Sequence, residues 1–306
     1  MERPSTGVGL ALALVAGAAT GGAMLAVAKS RPSERLDETE ARMRAARGLS
    51  RASASLAAAV LADSATEHYR GAFANKAMYV PLAASSAVLA AGLHGSGDAE
   101  ARPRKAREAV WALAMLTGVG GTGFHLYNIA KRPGAVSWQN LFYAAPIGAP
   151  AGLSLAGVFG WLGERLREGR RGARLAAIAV SRLTALLTAA GLVGAAGEAG
   201  LLHYRGAYQD PFMFVPVTAP PAAAGLLAAA AARPTPARVS LARAALAITA
   251  IVGVAGAAFH TIGVGRMMGG WRNWSQNFLA GPPIPAPPSF TSLALAGLAA
   301  LELIEA

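Results

Sequence analysis

The sequence predicts an all-α fold. It is a polytopic integral membrane helical bundle of about nine spans, made of one extra N-terminal helix plus a tandem duplication of a four-helix unit in parallel orientation. Three observations lead there. Hydrophobic residues make up 54% of the 306 residues and charged residues only 14%, where soluble domains carry about 25% charged. The apolar residues come in runs of about 20, the length that crosses roughly 30 Å of hydrocarbon. Finally, a set of motifs recurs at a fixed offset along the chain, the signature of an internal repeat.

The spans are expected, in order, at about 8–28, 50–68, 76–94, 108–129, 141–162, 175–203, 211–232, 240–263 and 279–302. The second reads as the end of a longer helix that starts near Leu36. Loops on one side hold seven Lys/Arg in 29–51, four in 102–107, five in 165–174 and three in 233–243, nineteen together. The other side holds eight: Arg3, Arg70, Lys76, Lys131, Arg132, Arg205, Arg266 and Arg272. By the positive-inside bias the richer side is cytoplasmic, so the N-terminus lies outside and the C-terminus inside. The net charge of +12 is then a topology signal and not a nucleic-acid footprint. The expected location is a bacterial inner (plasma) membrane, with the lipid bilayer as the first partner. "AVAK" at 26–29 resembles a signal-peptide cleavage site, but cleavage would invert every later loop, and the first span is read as an anchor.

The repeat is explicit. "HYRGAF" at 68 returns as "HYRGAY" at 203, "MYVP" at 78 as "MFVP" at 213, and "GVGGTGFH" at 118 as "GVAGAAFH" at 253, all at an offset of 135. After a two-residue insertion "QNLF" at 139 matches "QNFL" at 276, and "PIGAP" at 146 matches "PIPAP" at 283. The organisation expected is a first span with the start of a basic loop over 1–37, a first unit over 38–165 and a second over 173–306. Four spans per unit leave both units the same way up, related by a pseudo-two-fold axis along the membrane normal.

The chemistry is carried by histidine. Four of the five histidines pair in register, His68 with His203 and His125 with His260, and only His94 has no counterpart. Each of the four ends a span that runs outward, so the imidazoles are expected at one depth near the outer face. Asp63 and Glu198 also correspond, and an ionisable group inside an apolar span costs about 2.5–3.5 kcal/mol or more on insertion scales. Five residues place Asp63 about 140° around an ideal helix from His68, so the acids are read as proton-path residues, or as extra metal ligands only if the helix bends.

Positions four and seven before a residue share its helical face. Under His125 these are Gly121 and Gly118, and under His260 they are Gly256 and Gly253. Under His203 they are Ala199 and Ala196, and under His68 they are Ser64 and Leu61. A flat ligand fits a strip without side chains, so the expectation is haem b with the imidazoles as axial ligands and Arg70 and Arg205 on its propionates. Small residues at this spacing are also the ordinary way membrane helices pack.

The alternative cofactor is a non-haem Cu, Fe or Zn centre on the same histidines. The expected function is a membrane redox subunit passing electrons to or from a quinone or an extracytoplasmic partner. A metalloenzyme, and a transporter or channel with proton-sensitive histidines, are the other readings. Trp138, Trp271 and Trp274 outside, and Trp111 and Trp161 inside, are expected as interfacial belt residues. His94 is expected as a solvated loop-end residue, and "PPIPAPP" at 282–288 as a rigid turn leading into a helix. The chain has no cysteine, which excludes disulfides, thiolate metal sites and cysteine nucleophiles. It also has no phosphate-binding glycine loop, HExxH or nucleophile elbow.

Overall fold

A computed structural model describes residues 37–144, 146–169, 173–175 and 178–305; the expected first span, 8–28, lies outside them. The chain is helical almost throughout. Its helices are α1 (Glu38–Arg70), α2 (Val80–Gly97), α3 (Lys105–Ala130), the short α4 (Trp138–Tyr143), α5 (Gly148–Arg167), α6 (Val180–Arg205), α7 (Val215–Ala232), α8 (Pro236–Arg266), the short α9 (Trp274–Ala280) and α10 (Pro288–Glu305). One small antiparallel hairpin, β1 (Arg174–Leu175) with β2 (Ile178–Ala179), precedes α6.

Among the described residues, six segments are long and apolar enough to cross a membrane: Lys76–Gly97, Lys105–Ala130, Val180–Arg205, Pro211–Ala232, Pro236–Arg266 and Pro288–Glu305. The chain is a membrane protein on that ground. Helices α1 and α5 are also long but fall short of this measure. Both lie inside the bundle, where α1 packs on α2, α5 and α10. A helix that faces protein needs less apolar surface than one that faces lipid, and α1 buries mainly alanine and serine.

The expected continuous spans at 141–162 and 279–302 are each broken. A short helix ends at Tyr143 or Ala280, and a new helix starts at Gly148 or Pro288. Pro146 in one break, and Pro282, Pro283, Pro285 and Pro287 in the other, have no N–H to continue a helix. The expected turn ahead of a helix at 282–288 is thus where the chain makes one.

Helices α1, α2, α3 and α5 pack in a ring of neighbours, and α6, α7, α8 and α10 pack in the same cyclic order. The two groups meet through α1 on α10 and α5 on α6, the first helix of each against the last helix of the other. Close approach depends on small residues: a Cβ on Gly48 of α1 would lie 3.0 Å from the Ala299 Cβ of α10. Hydroxyls bond across the packed helices, the usual polar glue of membrane bundles. Ser53 Oγ donates to Ala156 O (2.7 Å), Ser292 Oγ to Ser55 Oγ (2.8 Å) and Thr291 Oγ1 to Ala250 O (2.8 Å).

Trp111 departs from expectation. It is fully buried, stacked over Gly160, whose Cβ, if present, would lie 2.5 Å from the indole ring. It belongs to the core and not to the interfacial belt, whereas Trp138 and Trp271 are exposed.

Candidate functional site: four clamped imidazoles

Four turns are each closed by a histidine. His68 ends α1, and its Nδ1 lies 2.7 Å from Met78 O, in the 3₁₀ turn Lys76–Tyr79 that leads into α2. His203 ends α6, and its Nδ1 lies 2.7 Å from Met213 O, in the turn Pro211–Phe214 that leads into α7. His125 on α3 and His260 on α8 do the same for the breaks before α5 and α10, with Nδ1 2.8 Å from Pro146 O and from Pro283 O. A carbonyl only accepts, so Nδ1 carries the proton in all four. In the neutral ring Nε2 is then the lone-pair nitrogen. No protein partner of any of the four Nε2 atoms is found among the described residues.

The rest of the "HYRGAF/Y" segment shapes the same turn. Ala72 and Phe73 have φ of 52° and 48°, and Ala207 and Tyr208 have 56° and 46°. Consecutive non-glycine residues in the left-handed region are strained. They are held by ring contacts that match in the two turns: Phe73 stacks on Tyr79 at 4.4 Å and Tyr208 on Phe214 at 4.5 Å, while His68 and His203 meet Phe73 and Tyr208 edge-on. The side chains of Asn75 and Asp210 cap the 3₁₀ turns at Ala77 N and Phe212 N.

The arginines do something else. Arg70 pairs with Glu67 and reaches Gly281 O (3.5 Å), just after α9. Arg205 lies over the rings of Phe142 (4.9 Å) and Tyr143 (5.9 Å) in α4. Each thus ties its own turn to a short helix of the other helix group, α9 or α4.

The glycine strips are packing faces. A Cβ on Gly118 would lie 2.5 Å from Pro150 O, and one on Gly121 would lie 3.0 Å from Pro150 Cβ, both in α5. On Gly253 it would meet Pro287 O and Thr291 N at 2.8 Å, and on Gly256 Pro287 Cβ at 2.8 Å. These faces pack against α5 and the start of α10, so a ligand at the histidines would not lie on the glycine strips. Gly253→Val is therefore expected to force α8 from α10 and to cost about 1–3 kcal/mol by overpacking, read as a lower melting temperature in detergent. A variant as stable as the parent would refute this packing.

His68 and His125 lie within electrostatic reach of each other, as do His203 and His260, one pair in each helix group. Among the described residues no three His, Cys, Asp or Glu side chains gather as a metal ion needs. A single centre on all four histidines, with Asp63 or Glu198 added, is thus not formed, because each imidazole is tied to its own loop. The carboxylates sit elsewhere, half-buried where the two helix groups meet. Glu198 accepts from Gly148 N (3.3 Å) at the start of α5, where the helix dipole favours an anion. Asp63 is within reach of Glu198, Glu67 and Arg70. Its own corresponding helix start is proline-rich and has no N–H to give at Pro285, Pro287 or Pro288.

Sequence reading missed a buried ionic network at the opposite end. Arg107 donates to both oxygens of Glu164 (2.6 and 2.9 Å) and to Asp98 (2.7 Å). Arg167 donates to the carbonyls of Gly95, Asp98 and Glu100 (2.7–3.0 Å). His94 is exposed, as expected, yet its Nδ1 lies 3.3 Å from Arg107. The signal available in the sequence was Glu164, a lone acid in the apolar stretch "GWLGERL".

Burial acts to raise the pKa of Asp98, but hydrogen bonds from Arg107, Glu100 N and Arg104 outweigh it and hold the carboxyl well below the usual range. A depressed folded-state pKa contributes stability that is present above the unfolded value, about 3.9, and lost as pH falls toward the folded one. Thermal stability is therefore expected to fall below about pH 4, less so in Asp98→Asn. Equal pH profiles for the two proteins would contradict this.

No family model, curated protein or solved structure matches the chain.

Proposed function

We propose that the chain is a nine-span membrane redox subunit in which two histidine pairs, His68 with His125 and His203 with His260, each hold a haem b through Nε2. In this reading α1 and α5 cross the membrane with the six more apolar segments and the N-terminal span. The four-helix groups are a tandem duplication about an axis along the membrane normal, and the histidines face the outer side.

The observation that carries it is the shared state of the four imidazoles. A clamp on a carbonyl needs one donated hydrogen, which an Asn or Gln N–H or a Ser O–H also supplies. Histidine at all four places leaves four unclaimed Nε2 lone pairs, paired within each helix group. An Nδ1–H bonded to a carbonyl fixes the tautomer and raises the basicity of Nε2, the usual outer support of a metal-ligating histidine. Bound haem supplies reversible one-electron transfer. The chain's own residues orient the imidazoles and hold the outer turns closed above them. The electron partner is a quinone or an extracytoplasmic protein, and Asp63 and Glu198 stand on the proton side.

Iron content and a pyridine haemochrome assay on purified protein test this. Two haems per chain are expected. Stoichiometric copper or zinc without haem would instead assign a non-haem centre and overturn the proposal.

One observation favours a second reading. Asp63 and Glu198 lie together between the helix groups, where a proton-coupled transporter without a cofactor would carry its substrate path. Proteoliposome uptake that collapses in Asp63→Asn, in protein free of haem, would decide for it.

A further inference from the structure

The two helix groups differ along one helix face. In the first group, the α1 face with Ser55, Ala58, Ala59 and Ala62 is closed. Ser55 Oγ accepts from Ser292 Oγ of α10 (2.8 Å), and the three alanines are no more than 5% exposed. At the repeat offset of 135 the same face of α6 carries Ala190, Val193, Gly194 and Gly197, and all four are exposed, as is Leu186 on the same side. Helix α5, the counterpart of α10, touches α6 one strip further round. A Cβ on Gly191 would lie 2.9 Å from Leu155 Cδ2, and Glu198 accepts from Gly148 N. A Cβ on Gly194 or Gly197 would have no atom of the described residues within 4 Å.

An exposed face on a membrane helix is ordinarily a lipid face, and α3 has one. Gly120 and Gly123 are open there, and their counterparts on α8, Ala255 and Ala258, are not buried either. The α6 face differs because its counterpart on α1 is closed. The described long helices pair off at the repeat offsets, so a part of the chain that covers α6 alone lies outside the repeat. Residues 8–28 are such a segment. Twelve of these 21 residues are Gly or Ala, none is charged, and Ala13, Gly17 and Gly21 follow at steps of four. That spacing lets membrane helices approach closely. The eight residues 29–36, which join the segment to Asp37 ahead of α1, can reach about 28 Å. Helix α6 stands two helix spacings from α1 by way of α10, about 16–20 Å.

We infer that residues 8–28 dock on this α6 face, along the lipid side of the seam between α5 and α6. The inference rests on the proposed crossing of the membrane by that segment. With the N-terminus outside, the segment runs antiparallel to α6. Gly17 then lies at the depth of Gly194, and Gly21 at the depth of Ala190, at about 1.5 Å per residue from the outer ends. Small residues meet small residues, and the segment closes on α6 the face that α10 closes on α1.

Disulfide trapping tests this, and the chain has no cysteine of its own to interfere. Residues 13–21 are replaced by cysteine one at a time, each combined with Gly194→Cys or, as a lipid-face control, with Gly120→Cys. A protease site is set into residues 29–36. After oxidation in membranes and cleavage, the two fragments should stay joined until reduction in the Gly194→Cys series, at positions that recur every three or four residues. They should separate in the Gly120→Cys series. Fragments joined through Gly120→Cys would overturn the docking. Disulfides formed only between two chains would also overturn it, assigning the face to a second copy, and no disulfide in either series would assign it to lipid. An impermeant maleimide should label Ser5→Cys from the outer side alone. Labelling from the basic side would refute the crossing itself, a failure distinct from a segment that crosses but docks elsewhere.

Discussion

Replacing Glu164 by alanine is expected to destabilise the protein by about 3–5 kcal/mol, the cost of removing one partner from a buried ion pair. Glu164 is fully buried and accepts from Arg107 Nε and Nη2 and from Arg104 N (3.0 Å). Its loss leaves Arg107, 3% exposed, with Asp98 as its remaining carboxylate, and removes the carboxylate beside Arg167, 1% exposed. The second helix group shows the alternative solution, with Ala242, Leu301 and Ile304 at the corresponding places. A triple variant R107A/E164L/R167I is therefore expected to recover most of the loss, since well-packed apolar residues often match or exceed a buried ion network. Thermal melts in one detergent would rank the three proteins. If E164A melts with the parent, the network does not hold this end of the bundle.

Removing a single histidine should halve the cofactor load and leave the fold. His260→Gln keeps an N–H donor for Pro283 O but offers no imidazole to a metal, so one haem per chain should remain, with stability close to the parent. His260→Ala also loses the clamp, at about 1 kcal/mol for the hydrogen bond, with the same drop in haem. The joint His125→Gln/His260→Gln variant should be haem-free. Full load in that variant would separate the histidines from any cofactor and leave them as turn-formers.

The helices were legible in the sequence because apolar runs of membrane length need no partner to be recognised. The register of the histidines was legible for the same reason that their roles were not. Spacing along one helix places Gly118, Gly121 and His125 on a common face, but not which neighbour covers that face. Helix α5 covers it, and the strip read as a ligand bed is a packing surface. The contacts of Arg70 and Arg205 were not legible, because Gly281 and Phe142 come from the other helix group, far away in sequence. Arg107 and Arg167 were counted as loop charges, since the burial that makes them costly depends on Glu164, 57 residues from Arg107. Charge sign along the chain reports topology, whereas charge pairing is a property of packed helices.

The most direct test of the redox reading is the absorption spectrum of the purified, folded protein before and after dithionite. The account predicts a Soret band and a sharp reduced α-band, the signature of iron held by two imidazoles. A spectrum with neither band, from protein shown to be helical and monodisperse, would contradict it.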